Sequence, residues 1–80
     1  MATQAKIFSE RLHQLCDDMD MPSNYPEREA ILCKILGITK EVAHKCLRGH
    51  NLPDEETLAK IAGEFDVEIN WLLGEKGQSK

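Results

Sequence analysis

The stretch that most constrains the fold is "KILGITKEV", residues 34 to 42, where a glycine stands between two segments of helical pattern. Gly37 follows the apolar end of the first segment, and a glycine there stops a helix because it readily adopts a positive φ. Thr39 offers its hydroxyl as the cap of the next helix. Only Ile38 and Thr39 separate the glycine from that helix. The sequence therefore predicts two short helices that cross at a steep angle.

The rest of the chain also has helical spacing, and no strand-type alternation occurs, which predicts an all-α fold. The first helix is expected to end at the loop that begins "DDMDMPSNYP", because its two prolines cannot continue a helix. The predicted helices cover residues 4 to 18, residues 27 to 36, residues 40 to 48, residues 55 to 64 or 65, and residues 68 to 73. The tail "EKGQSK", residues 75 to 80, is expected to fray.

Eighty residues are enough for one small domain, predicted to span the whole chain with an ordered core over about residues 5 to 74. The sequence contains no run of 18 apolar residues and no secretory signal pattern, so we expect a cytoplasmic protein without a membrane partner. Cys16, Cys33 and Cys46 lack the spacing of a disulfide framework. They are expected to be reduced and to pack as small apolar residues.

The charge of the chain is unevenly distributed. The net charge is -4, which by itself disfavours a nucleic-acid partner. Residues 34 to 52, however, hold four basic residues against one acidic residue, a net of +3, whereas the remainder holds six basic and thirteen acidic residues, a net of -7. Such a layout orients the molecule towards a polyanion through one face.

That positive segment contains the third predicted helix, which has one apolar side and one polar side. The inward residues are Val42, Ala43, Cys46 and Leu47, and the outward residues are Lys40, Glu41, His44, Lys45 and Arg48. An α-helix fits the major groove of DNA, where base edges distinguish all four base pairs. A solvated charged face is the common alternative, and Glu41 and His44 could instead pair along the helix with Lys45 or Arg48.

Residues 29 to 48, "EAILCKILGITKEVAHKCLR", resemble the helix-turn-helix of the lambda-repressor-like (Cro and phage repressor, XRE) family. The apolar residues Leu32, Leu36 and Ile38 and the turn residue Gly37 match the family pattern. Downstream, "RGHNLPDEETLAKIAGEFDVEINWLL" has the family's order of a glycine, a proline, a helix and a closing "WLL", and "FSERLHQL" is similar to its first helix. The resemblance spans residues 7 to 74.

The resemblance implies a compact five-helix bundle whose third helix enters the major groove while the start of the second helix contacts phosphates. Five residues fall where family members touch DNA: Thr39, Lys40, Glu41, His44 and Lys45. Arg48 falls near the DNA backbone. Lysine and glutamate suit guanine and cytosine edges respectively.

The sequence departs from the family at the second helix. Glu29 stands where the family usually has a glutamine that touches DNA, and a carboxylate there would repel phosphate. The loop before it is several residues longer than in short phage repressors, so Asn24, Tyr25 and Arg28 are predicted to supply the missing contact. The resemblance also implies a homodimer built on the last helix, with Ile69, Trp71 and Leu72 nearest the contact.

Other kinds of site have little support in the sequence. Cys33, His44, Cys46 and His50 could suggest zinc, but the cysteines are predicted to face inward and His44 outward, unlike the closely spaced ligand pairs of structural zinc sites. No phosphate-binding loop, paired-carboxylate cleft or catalytic triad occurs, so neither an enzyme, nor a small-molecule substrate, nor a metal or other cofactor is expected.

The sequence therefore predicts a DNA-binding transcriptional regulator, most simply a phage-type or prophage-type repressor that binds a double-stranded operator as a dimer. The alternative is a protein-interaction module, such as an antitoxin or accessory factor, that uses the same bundle to hold a partner protein. The acidic surface and Glu29 favour that alternative.

Overall fold

In a computed structural model of the chain, residues 3–75 are described. They form five helices and no strand, as the helical spacing predicts. The helices are α1 (Gln4–Asp18), α2 (Tyr25–Leu36), α3 (Lys40–Arg48), α4 (Glu55–Phe65) and α5 (Ile69–Leu72). No helix in this range is both long and apolar enough to cross a bilayer. The tail predicted to fray covers residues 75 to 80, and of these only Glu75 is among the described residues.

Local residues determine where the helices begin and end. Four helices begin at a side-chain oxygen that accepts a backbone N–H of the first turn, supplied by Thr3, Asn24, Thr39 and Asp54. Helix α2 begins two residues before the predicted Glu27, because Asn24 provides the cap and Pro26 occupies a first-turn position that needs no N–H. Helix α5 is shorter than the predicted span of 68 to 73.

All five helices contribute to one core. Its buried apolar residues are Phe8, Leu12, Leu15, Cys16, Leu32, Leu36, Ala43, Cys46, Leu47, Leu58, Ile61, Trp71 and Leu72. Helix α3 packs against both α1 and α2, and its buried residues are Ala43, Cys46 and Leu47. The inward side of α3 is thus the apolar side that the sequence predicts, and its polar side is left for solvent.

The structure corrects the prediction for the dimer contact. Trp71 is 8% exposed and Leu72 is fully buried, so both side chains fill the core of their own chain. Arg11 lies over the Trp71 ring, 5.0 Å from its centre, and donates a hydrogen bond to the Trp71 carbonyl at 2.7 Å. These residues therefore offer little surface to a second copy. Of the predicted contact residues, only Ile69 remains partly exposed.

Candidate nucleic-acid interface

Helix α3 is connected to α2 by a turn of three residues. Gly37 has a φ of 68°, and its N–H donates to the Cys33 carbonyl at 2.9 Å, which closes α2. Thr39 then accepts the Val42 N–H on its hydroxyl at 3.2 Å, which opens α3. Both features follow the sequence-based prediction. The short connection leaves little freedom in how α3 sits against α2.

The outward face of α3 is accessible. Lys40, Glu41, Lys45 and Arg48 are exposed, and His44 is half-buried. The Lys45 ammonium lies 3.6 Å from the Glu41 carboxylate one turn away, in a pair whose side chains are 48% and 78% exposed. A pair in that setting contributes little stability, so the lysine can exchange it for a phosphate. Within residues 3–75, Lys40 forms no ion pair.

His44 does not pair along α3, which was one of the alternatives left open by the sequence. Its Nδ1 lies 2.8 Å from Oε2 of Glu29 on α2. Glu29 is the fifth residue of α2, and it is only 8% exposed. The carboxylate therefore faces α3, and it does not project towards a bound phosphate as its place in the resemblance suggests.

Tyr25 and Asn24 bring the start of α2 next to the end of α3. The Arg48 guanidinium lies over the Tyr25 ring, 4.7 Å from its centre, and His13 packs on the same ring at 4.8 Å between ring centres. Asn24 uses its side-chain oxygen as the cap of α2, which leaves its amide nitrogen as a donor. A cation and an exposed amide therefore lie at this end of the face.

Arg28 corrects a sequence-based prediction. Instead of facing outward as a replacement contact, it is 3% exposed and lies under the loop that precedes α2. Its guanidinium donates to the Pro22 carbonyl at 2.6 Å, to Nδ1 of His13 at 2.7 Å, and to the Asp17 carboxylate. An arginine with this set of partners holds the fold together and is not available to DNA.

His13 and Ser9 anchor the far end of α3. The Leu47 carbonyl, one of the last four carbonyls of the helix, accepts from Ser9 Oγ at 2.7 Å and lies 2.9 Å from His13 Nε2. Because Arg28 donates to Nδ1, the imidazole is neutral with its proton on Nε2, which donates to Leu47. Sequence reasoning did not identify this network. The local signal for it in the sequence is that Ser9 and His13 are polar, lie four residues apart and flank the apolar stripe of α1.

The two buried thiols, Cys46 on α3 and Cys16 on α1, have the chemistry of core residues. Burial, with a smaller contribution from the Asp54 carboxylate, raises the pKa of Cys46 to about 11. Burial also raises the pKa of Cys16, an effect that the nearby Arg28 charge partly offsets. Neither group is a thiolate at neutral pH. Among residues 3–75, no three histidine, cysteine or acidic side chains come together as a metal site.

At the start of α4, hydrogen bonding lowers the pKa of the Asp54 carboxyl, whereas burial raises the pKa of the two thiols. The side chain and N–H of Thr57 lower the pKa of the Asp54 carboxyl, so the cap is ionised at neutral pH. The charge favours the helix because it lies at the positive end of the helix dipole. It also places a carboxylate in the surface recess that Lys45 and Thr57 share between α3 and α4.

The chain matches a model of a known protein family. The family model described as the BetR domain matches residues 3–80, nearly the whole chain. No curated protein and no solved structure shows significant similarity.

Proposed function

The chain belongs to the BetR domain family, and we propose that this member is a transcriptional regulator that binds double-stranded DNA in a sequence-specific manner. The observation that carries the proposal is the outward face of α3, where Lys40, Lys45 and Arg48 are exposed beside a half-buried His44. The helix that carries these side chains is held at both ends, so the face is presented as a rigid unit.

Binding strength would come from cations on phosphates. Each phosphate neutralised by lysine or arginine releases condensed counterions, which drives association with duplex DNA. Arg48 and Asn24, at the junction of α3 with α2, would contact the backbone of one strand. Arg28 is no longer among the proposed contacts, because its guanidinium is hydrogen-bonded to Pro22, His13 and Asp17 inside the protein.

Selectivity would come from the middle of α3. Lysine can donate to the acceptors of guanine, and Glu41 can accept from the amino group of cytosine. The Lys45 and Glu41 side chains satisfy each other only weakly in the free protein. Separating them to read neighbouring bases therefore costs little.

A dimer would place two copies of α3 in successive major grooves, with half-sites about 34 Å apart. Since Trp71 and Leu72 are buried, we place the contact on the exposed side of α5 and α4 instead. Ile69, Leu73 and Ala59 form an apolar groove there, with Glu55 and Glu56 among its lining residues. A repressor of this kind would act in the cytoplasm, on an operator in the genome.

Selection of bound duplexes from a random pool tests the proposal. We expect a recurring motif with two-fold symmetry, and competition in which the selected duplex displaces the protein from random DNA at physiological salt. Equal retention of all sequences would refute a sequence-specific regulator. A stoichiometric protein partner together with the absence of a motif would support the interaction module, which has lost part of its support because Glu29 faces His44.

A further inference from the structure

The contact between Glu29 and His44 joins the two helices of the candidate interface. The Glu29 side chain is 11% exposed and accepts from Nδ1 of His44, whose side chain is 44% exposed. An ionised carboxylate has no proton to donate, so the proton of this hydrogen bond belongs to Nδ1. The pair therefore fixes both the orientation of the imidazole ring and the position of its proton.

The second ring nitrogen of His44 is left for an outside partner. Nε2 forms no hydrogen bond within residues 3–75. Within residues 3–75, every buried side-chain nitrogen or oxygen has a hydrogen-bond partner. Since Nε2 has none, it is not buried and is accessible to solvent. It lies on the same helix face as Lys40 and Lys45.

We propose that Glu29 and His44 form a base-reading pair, in which Glu29 holds the ring so that Nε2 faces the major groove. When the ring takes up a proton, Nε2 changes from a hydrogen-bond acceptor to a donor. Glu29 is then a positioning residue that acts through His44. The proposal rests on the DNA-binding function proposed above and assigns a specificity role within it.

The two protonation states read different base edges. With Nδ1 protonated and the ring neutral, Nε2 is an acceptor and pairs with the amino group of adenine or cytosine. When the ring takes a proton from solvent, Nε2 becomes a donor and pairs with N7 or O6 of guanine, with O4 of thymine, or with N7 of adenine. Adenine therefore suits both states, whereas cytosine suits only the neutral ring and guanine and thymine only the protonated ring. Imidazole changes its charge in the range of physiological pH, so one base preference is set by pH.

The groups around the ring come from three elements. Glu29 faces it from α2, and its hydrogen bond with Nδ1 becomes an ion pair when the ring is protonated. His50, after the end of α3, lies 6.0 Å away between ring centres. On α3 itself, Lys40 and Arg48 stand four residues to either side and Glu41 three residues before. A bound duplex adds phosphates, whose charge favours the protonated ring.

The test is a selection of duplexes from a random pool at about pH 5.5 and about pH 8.5, either side of the usual imidazole range. For the wild-type chain we expect one position in each half-site to favour cytosine over guanine and thymine at high pH and to favour guanine or thymine over cytosine at low pH, with adenine tolerated at both. The preference should change by about fivefold, the ratio expected for one hydrogen bond. All other positions should keep their bases.

Three variants separate this role from a structural one. His44→Gln keeps a polar side chain without a titrating ring, so its motif should be the same at both pH values. Glu29→Gln removes the charge that holds Nδ1 and should weaken the switch, whereas Glu27→Gln removes the same charge from an exposed site on α2 and should leave it intact. Circular dichroism checks that each variant is folded.

The position of the proton gives a second readout that does not depend on DNA. Nitrogen chemical shifts of the His44 ring should show the Nδ1–H form at high pH in the wild-type chain. The Nε2–H form would overturn the proposal. A wild-type motif that is selected but identical at both pH values would also overturn it and leave the regulator standing, whereas failure to select any motif would remove both.

Discussion

One guanidinium, that of Arg28, joins three parts of this fold. It links the loop before α2 through Pro22 to the end of α1 through Asp17 and to the middle of α1 through His13. His13 in turn hydrogen-bonds to the Leu47 carbonyl, which links the network to α3. The buried charge is tolerated because every partner is in place, and the arrangement depends on all of them together.

Replacing Arg28 with Met should therefore destabilise the protein. The His13 ring nitrogen and the Pro22 carbonyl lose their donor, and we expect a loss on the order of 2 to 3 kcal/mol in urea unfolding. Arg48→Met is the matched control, because that arginine is exposed and lies on a single ring. The control should cost about 0.5 to 1 kcal/mol. Equal losses for both variants would contradict the structural role of Arg28.

The thiol of Cys46 gives a prediction about pH. Its pKa of about 11 in the folded protein lies above the ordinary value of 9.0, so the folded state favours the neutral thiol. The stability from this group is complete below pH 9.0 and is lost as the pH rises through about 11.

At pH 9.0, the ordinary pKa at which an unburied thiol is half ionised, alkylation of Cys46 should be slow in the native protein and fast in denaturant. Peptide mapping by mass spectrometry measures both rates at the same residue. Native labelling as fast as labelling in denaturant would show that the thiol is not buried.

At the scale of single elements, α3 is set between two glycines that have nearly the same backbone conformation but different surroundings. Gly37 has a φ of 68° and nothing within 4 Å of where a Cβ would stand. Gly49 has a φ of 72°, and a Cβ there would lie 3.3 Å from Ser9 Cβ and 3.5 Å from the Lys6 Cα. Gly49 therefore allows the end of α3 to approach α1 closely.

Alanine substitutions at the two glycines should differ accordingly. Gly37→Ala should cost about 1 to 2 kcal/mol, from the left-handed conformation alone. Gly49→Ala carries the same strain plus the contact with α1, and should cost about 1 kcal/mol more in urea unfolding. If Gly37→Ala proved the more damaging of the two, the close packing of α3 on α1 would be wrong.

The elements differ in how far the sequence predicts them. The ends of α3 were predictable because Thr39 and the two glycines act on backbone within a few residues of themselves. Its contacts with other helices were not. Glu29 and His44 are fifteen residues apart, and each residue type is common on helix surfaces without a partner, so the sequence does not indicate that they pair. Arg28 looks like a surface residue in sequence, since arginine is rarely buried unless the tertiary fold supplies its partners.

At the scale of the whole molecule, charge decides how the protein meets a polyanion. The chain is acidic in total, so its net field repels DNA, and in the proposed function the positive segment would act at short range. The principal dimensions are 30 × 24 × 22 Å, and an α-helix fits a major groove about 12 Å wide, so under the proposed function one copy would cover one half-site.

The salt dependence of DNA binding should separate local charge from total charge. If Lys45 contacts a phosphate, Lys45→Ala should reduce the slope of log affinity against log salt by about 1. Lys60→Ala removes the same charge from an exposed site on α4 and should leave the slope nearly unchanged. If Lys45 reads a base instead, its loss should cost about 1 to 3 kcal/mol at the selected site only. Equal small effects of both changes would mean that only the net charge matters.

The most direct test of the account is a titration of isotope-labelled protein with a selected duplex, followed by the amide and side-chain NMR signals of each residue. If the outward face of α3 enters the groove, the largest shifts should belong to Lys40, His44, Lys45 and Arg48, with smaller ones at the start of α2. Signals of α4 and α5 should move only where copies associate. Shifts centred away from α3, or none at all at saturating duplex, would contradict the claim that this helix reads DNA.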